Sequence, residues 1–245
     1  MSSRCGQRWG RPPIRTDGRK RVFYGRRKGR TLRPGRRRLF DELLPNLGID
    51  VAQGPIDPTS AFDFPVDDIW LEVGFGGGEH LAEQARNHPR VGMLGCEPFL
   101  SGVGRLLGEI DSDGIANIRI HPDDARDLID VLPDASVGRV FVLFADPWPK
   151  KRHHRRRFVG PENLPGLARI MKDGAELRLA SDQMPLVRWM LLHATGHGAF
   201  EWIVQGPDDW RSRPEDWPRT RYEAKALARG ETCIYLTFRR RARER

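Results

Sequence analysis

Cysteine is scarce in this sequence. The 245 residues hold three, Cys5, Cys96 and Cys233, far apart and without a CxxC pair. That spacing argues against a disulfide framework or a cysteine zinc site and fits a reducing cytoplasm. The seven histidines show no ligand spacing either, so no metal is expected. No apolar run reaches the roughly 18 residues a membrane helix needs, so no membrane span is expected. The first forty residues contain no apolar core, so no secretory signal is read there. No Ser-His-Asp arrangement and no internal repeat are evident.

Acidic residues are almost missing from one end. Residues 1–40 hold 15 Lys or Arg and one acid, Asp17, a net +14, whereas the other 205 residues hold 27 basic and 32 acidic groups, a net −5. A second basic cluster, Lys150 to Arg157, has six Lys or Arg and two histidines, and a third runs from Arg239 to Arg245. Such segments bind phosphates by counterion release, which points to nucleic acid. Residues 1–38, rich in Arg, Gly and Pro, are expected to be flexible when free. Phe23 and Tyr24 within them could stack on bases. Leu39 to Leu47 suggests a short helix, and 48–65, with Gly54, Pro55, Pro58 and Pro65, reads as a linker. The expected division is a basic arm and linker at 1–60 and a folded domain at 61–245.

That domain reads as strands alternating with helices. Strands are expected at Ile69–Gly74, Val91–Cys96, Asn117–His121, Val140–Phe144, Ala175–Ala180, Phe200–Val204 and Thr232–Phe238. Helices are expected at Glu79–Asn87, Phe99–Ile110 (weakened by Gly102, Gly104 and Gly108), Ala125–Val131, Pro161–Met171 and Gln183–Ala194. The fold class is therefore α/β, a doubly wound, mostly parallel seven-stranded sheet.

Two stretches carry chemistry. The first is Gly74-Phe75-Gly76-Gly77-Gly78, a glycine-rich turn between a strand and a helix. Such a turn could serve NAD, FAD or S-adenosylmethionine. The dinucleotide fingerprint G-x-G-x-x-G would need glycine at Glu79 or Leu81, whereas G-x-G-x-G, the form associated with S-adenosylmethionine-dependent methyltransferases, fits from Gly74 through Gly76. Acids follow at successive strand ends. Glu72 precedes the turn and could hold the methionine amino group. Glu97 could accept both ribose hydroxyls. Asp124 could accept from the adenine amino group, a role that spacing does not separate from Asp123. The second stretch, Val140 to Phe158, runs from a buried strand into Asp146-Pro147-Trp148-Pro149 and then the basic cluster. Its two prolines hold Asp146 and Trp148 on a stiff loop at the carboxyl end of the strand, where open α/β sheets bind ligands.

Asp146-Pro147-Trp148-Pro149-Lys150-Lys151-Arg152-His153 resembles the signature of the bacterial tRNA (guanine-N7-)-methyltransferases. Leu71 to Gly76, Gly95-Cys96-Glu97, Ser181-Asp182 and Thr220-Arg221-Tyr222-Glu223 agree with it in order and spacing, over about residues 69 to 238. The resemblance implies a Rossmann-like class I methyltransferase that uses S-adenosylmethionine to methylate a guanine of the tRNA variable loop. It implies cofactor contacts from Glu72, Gly74, Gly76, Glu97, Asp124 and Asp146, with Asp146 catalytic. It implies substrate contacts from Lys150, Asp182, Thr220, Arg221, Tyr222 and Glu223. Trp148 could stack on a base, and Lys150, Lys151 and Arg155 to Arg157 are expected on phosphates, with His153 and His154 adding to that patch. The chain departs from the family at Phe144-Ala145-Asp146, where Phe-Pro-Asp is common. The alternatives weighed are a methyltransferase for another RNA or for protein, an RNA-binding protein with a vestigial fold, and an NAD-dependent dehydrogenase, which the glycine spacing disfavours.

Overall fold

Val140, Phe141, Val142 and Leu143 offer solvent no polar position, and such a strand belongs inside a sheet covered on both faces. A computed structural model, which describes residues 22–27, 29 and 34–244, places it there. Seven strands form one sheet: β1 (Asp68–Val73), β2 (Val91–Cys96), β3 (Ile118–His121), β4 (Val137–Leu143), β5 (Met171–Ser181), β6 (Phe200–Trp202) and β7 (Ile234–Arg240). Their order is β3-β2-β1-β4-β5-β7-β6. β1 to β5 are parallel, and β7 runs antiparallel between β5 and β6. The chain steps outward from β1 to β3 and then returns to place β4 on the other side of β1. The carboxyl ends of β1 and β4 are therefore the switch point where such sheets open a crevice.

Helices α1 (Pro34–Glu42) and α2 (Leu44–Leu47) precede the sheet. The others are α3 (Glu79–Asn87), α4 (Leu100–Asp113), α5 (Ala125–Val131), α6 (Leu164–Ile170), α7 (Met184–Gly196), α8 (Asp208–Arg211) and α9 (Arg221–Ala228). Strand alternation divides the core in two. Ile69, Leu71, Val73, Val140 and Val142 pack with Leu128, Leu167 and Leu186. Trp70, Phe141 and Leu143 pack with Leu81, Val103 and Leu106 on the opposite face.

Three elements differ from expectation, each for a local reason. α4 continues to Asp113 despite its glycines. A Cβ at Gly102 would lie 1.9 Å from the Gly76 carbonyl oxygen, so this glycine sacrifices helix propensity to let α4 meet the glycine turn. β5 begins at Met171, where helix was expected to end. Pro165, in the first turn of α6, takes the role expected of Pro161. Residues 48–62 do more than connect. Ile49, Val51 and Phe62 are buried, and the Ile49 amide donates to the Ile120 carbonyl at 2.9 Å, covering the exposed edge of β3. The reading of the arm's first 21 residues lies outside the described residues. The basic carboxyl end is knitted to the body. Arg240 is buried and donates to the Ala168 carbonyl, and Arg243 pairs with Asp173 and donates to the Met171 carbonyl.

Candidate active site

A cavity of about 420 Å3 opens at the switch point. Its floor is the turn after β1, where Gly74, Gly76 and Gly78 have φ of 73°, 60° and 87°. These left-handed values suit glycine and bring backbone rather than side chain to the cavity. Glu97, at the end of β2, accepts from the Gly76 amide through Oε2 and from the Phe99 amide through Oε1, each at 2.8 Å. Burial pushes the Glu97 carboxyl above its ordinary range. The two amides pull it back, while the nearby Asp146 and Glu72 carboxylates push it further up. Glu97, Asp124 and Asp146 face the cavity together with Arg26, Arg126, Arg155 and Arg156, so carboxylates and guanidinium groups share its wall.

Asp124 caps α5 and lines the cavity, as Asp123 does not. Its carboxylate is also held by Arg126, whose Nε donates to Oδ1 at 2.9 Å and to Oδ2 at 3.0 Å. Glu72 sits one layer behind. It is buried on the α3 side of β1, with Oε2 2.7 Å from His80 Nδ1. Gln84 Nε2 lies 3.4 Å from His80 Nε2 and donates to the Asp216 carbonyl at 2.8 Å. An acceptor role for Nε2 makes His80 the Nδ1–H tautomer, donating to Glu72.

The loop after β4 is strained on both sides of Asp146. Phe144 and Trp148 have φ of 52° and 41°, unusual for non-glycine residues, and they flank Asp146. Asp146 is exposed at the cavity wall, and Trp148 beside it is half-buried. Arg157 holds the loop down, and this changes its expected role. It is buried, and its Nε donates to the Pro147 carbonyl at 2.8 Å, so it is a staple rather than a phosphate contact. Residues 151–156 form a 3-10 turn that leaves Lys150, Lys151, Arg152 and Arg155 in solvent. Desolvation, then the charges of Arg156, Arg152, Lys150 and Arg155, lower the His153 pKa. This histidine is therefore neutral at neutral pH and adds no charge to the patch.

The segment Thr220 to Glu223 starts a helix. Thr220 caps α9, with its Oγ1 accepting from the Glu223 amide at 3.0 Å and the Glu223 carboxylate returning toward the Thr220 amide. Glu223 is buried and also accepts from the Tyr235 hydroxyl at 2.7 Å. The pattern Thr-x-x-Glu is a capping box, a signal present in the sequence. Tyr222 is the member of this segment that reaches the cavity. A Cβ on Gly76 would come within 3.0 Å of its ring. Arg221 lies 3.9 Å from Glu79. Asp182, at the end of β5, pairs with Arg229 at 3.2 Å and does not line the cavity, nor does Lys150. Residues missed from sequence include Arg126, His80 and Asn163, the last lining the cavity with its Nδ2 donating to the Phe158 carbonyl at 2.8 Å. None belongs to a recognised string, and each matters only through a contact.

A family profile described as "Putative methyltransferase" matches residues 67–236. A tRNA (guanine-N(7)-)-methyltransferase of Rhodospirillum rubrum is 55% identical over 90% of this chain and 88% of its own length. The chain belongs to the tRNA (guanine-N7-)-methyltransferase family. Members from Paracoccus denitrificans, 50% identical over 91% of this chain and 96% of their own, and from Brucella melitensis, 45% over 89% and 94%, extend the likeness. The sheet is also that of other class I methyltransferases. A 16S rRNA methyltransferase, KamB, superposes with a TM-score of 0.54 at 18% identity, covering 76% of this chain and 91% of that one. An rRNA methylase from Streptococcus thermophilus gives 0.51 at 11%, covering 73% and 89%. Members of a methyltransferase family need a methyl donor, and this cavity fits S-adenosylmethionine. Glycine turns allow close approach, Glu97 offers hydroxyl acceptors, and the surrounding carboxylates suit a sulfonium. Among the described residues no cluster of His, Cys, Asp or Glu could hold a metal, and no helix is long and apolar enough to cross a membrane.

Proposed function

We propose that this chain transfers the methyl group of S-adenosylmethionine to N7 of a guanine in tRNA, forming 7-methylguanosine. The observation that carries this reading is the meeting of Glu97, Asp124, Asp146 and Trp148 in one cavity, beside the exposed cations of the 150–155 turn. The donor, when bound, supplies an electrophilic methyl group on a sulfonium. Glu97 accepts from its ribose hydroxyls, and Asp124 accepts from the adenine amino group. Glu72, held by His80, places a buried carboxylate behind the glycine turn.

Guanine N7 offers a free lone pair and no proton, so the chain needs no general base. As N7 takes the methyl, positive charge moves onto the purine. Asp146 does two things for that base. Its carboxylate accepts from the N1–H or exocyclic amine, aiming N7. Its charge also stabilises the cation that develops. Lys150, Lys151, Arg152 and Arg155 hold tRNA phosphates, and the basic arm at 1–60 adds to that hold. On the substrate side Tyr222 lines the cavity nearest the base, Thr220 and Glu223 hold it there as the cap of α9, and Asp182 lies outside the cavity, paired with Arg229. A tRNA substrate also places the reaction in the cytoplasm.

The test is methyl transfer from labelled S-adenosylmethionine to unmodified tRNA, followed by digestion to nucleosides. Label in 7-methylguanosine is expected. Label in another nucleoside, or in protein, moves the acceptor to another RNA position or to a polypeptide and overturns the guanine assignment.

A further inference from the structure

Tyr24 is far from the site in sequence and inside it in space. Residues 22–27 cross the carboxyl ends of β2, β3 and β4 and are tied down at three points. The Arg27 carbonyl accepts from the Leu100 amide, the first of α4, at 3.1 Å. Arg126 Nη2 donates to the Val22 carbonyl at 3.1 Å. Arg27 pairs with Asp123. Between these ties Tyr24 forms part of the cavity wall, facing the same space as Asp146 and Trp148.

Tyr24 and Trp148 share one cation. The guanidinium carbon of Arg156 lies over the Tyr24 ring at 4.3 Å and over the Trp148 ring at 4.9 Å. Little else holds this group. Its Nε is buried without a hydrogen-bond partner, and among the described residues no carboxylate pairs with it. The adjacent Arg157, by contrast, is anchored to the Pro147 carbonyl. A planar cation held chiefly by two π-faces is a replaceable occupant.

Methylation at N7 creates another planar cation, the 7-methylguanine ring. Aromatic faces attract such a cation more strongly than a neutral base. Two rings placed against the target guanine would therefore bind it more tightly as charge develops, the differential binding that lowers a barrier. We propose that Tyr24 and Trp148 form a clamp for the target guanine, with Arg156 holding the position in the free protein and yielding it to the base. The clamp rests on the reading of the chain as a guanine-N7 methyltransferase. It makes an arm residue a direct substrate contact, beyond the phosphate binding that the arm's charge suggests.

The test uses the full chain carrying Tyr24→Ala or Tyr24→Phe, with unmodified tRNA and saturating labelled S-adenosylmethionine. Single-turnover rates are read beside separate affinities for tRNA and for the methyl donor. Tyr24→Ala should slow transfer roughly tenfold or more while Tyr24→Phe stays within about twofold of wild type, because stacking needs the ring and not the hydroxyl. Donor affinity should be unchanged in both. In a second readout, 7-methylguanosine monophosphate should inhibit the wild type more strongly than guanosine monophosphate, and Tyr24→Ala should lose that preference. A wild-type rate in Tyr24→Ala overturns the clamp. So does a defect confined to donor affinity, or one confined to tRNA affinity with rate and nucleotide preference intact. A wild-type chain that forms no 7-methylguanosine overturns the underlying activity, and direct binding of the two nucleotides, with the same preference expected and lost in Tyr24→Ala, then reports on the clamp by itself.

Discussion

The backbone amide of Gly76 donates to the carboxylate of Glu97 at 2.8 Å, joining the turn after β1 to the end of β2. This contact fixes where a ribose would sit, and it comes with a titration. Burial, then Asp146 and Glu72, raise the Glu97 pKa against the pull of the Phe99 and Gly76 amides. A raised carboxyl contributes stability that is fully present below its ordinary pKa and lost as pH rises through the folded value. Ionising Glu97 is thus a cost to the fold, and the ionised form is the one that would accept from two hydroxyl donors.

Binding of S-adenosylmethionine should therefore weaken as pH falls through the raised Glu97 pKa, and at such pH it should release a proton. Calorimetric titrations in two buffers of different ionisation enthalpy measure that release. It should grow as pH drops below neutral, and Glu97→Ala should abolish it along with most of the affinity. Proton release that is zero throughout would refute the assignment of Glu97 to the ribose.

Gly102→Ala tests the approach of α4 to the glycine turn. The new Cβ would lie 1.9 Å from the Gly76 carbonyl oxygen, a backbone atom that cannot swing aside. The expected loss is about 1–3 kcal/mol in urea unfolding, the usual cost of overpacking, with weaker donor binding because the turn is displaced. Gly108→Ala in the same helix meets only Leu39 Cδ1 at 3.9 Å and should be neutral or stabilising by up to about 1 kcal/mol. Equal effects at the two positions would show that helix propensity, not the close approach, governs Gly102.

Glu97, Asp124 and Asp146 were legible in sequence because a parallel α/β sheet sends every strand end to one edge, so acids after apolar runs converge whatever the loop details. Glu72 was read as a contact for the methionine amino group, whereas it lies behind the cavity lining as a buried partner of His80; β1 alternation and α3 periodicity must be combined to bring the two together. Arg157 could not be told from its cationic neighbours, because inside or outside is decided by a 3-10 turn that the basic run does not encode. Tyr24 was read as able to stack on a base, but its place in the cavity was out of reach, because the Arg156 that its ring meets is far along the chain and local pattern carries no information about such a contact. Thr220 and Glu223 were misplaced by choice of meaning, since their capping-box spacing was visible.

Arg157 supports the Asp146 loop from below. Arg157→Met keeps most of the apolar stem but leaves the Pro147 carbonyl without its charged donor. The fold should lose about 1–3 kcal/mol, and methyl transfer should slow more than donor affinity declines, since the loop rather than the cofactor cradle is released. If Arg157 were a phosphate contact, the variant would instead lose tRNA affinity and its salt dependence with stability intact.

His153 stands among cations that, after desolvation, lower its pKa, so it gains charge only on acidification. Phosphates favour the protonated ring, so tRNA affinity should rise as pH falls below neutral and part of that rise should vanish in His153→Gln. At neutral pH the variant should bind as the wild type does. Filter binding across pH measures both, and an equal loss at neutral and acidic pH would rule out the neutral-histidine account.

Asp146 carries the sharpest prediction, because its chemistry separates two roles. It sits between Phe144 and Trp148, whose left-handed backbones cost about 1–3 kcal/mol each, so the fold spends stability to fix this carboxylate. A general base would be needed only if the nucleophile carried a proton, and guanine N7 does not. Asp146→Asn keeps the shape and an acceptor oxygen but removes the charge. Single-turnover transfer should drop about a hundredfold or more, the scale of losing a preorganised electrostatic partner, while the pH–rate profile keeps its shape. Asp146→Glu keeps the charge but moves it by one methylene, and it should recover less than the wild-type rate because aim as well as charge is required. A profile that loses a limb in Asp146→Asn would mean a proton is taken after all, and the acceptor atom would then have to be one that bears it.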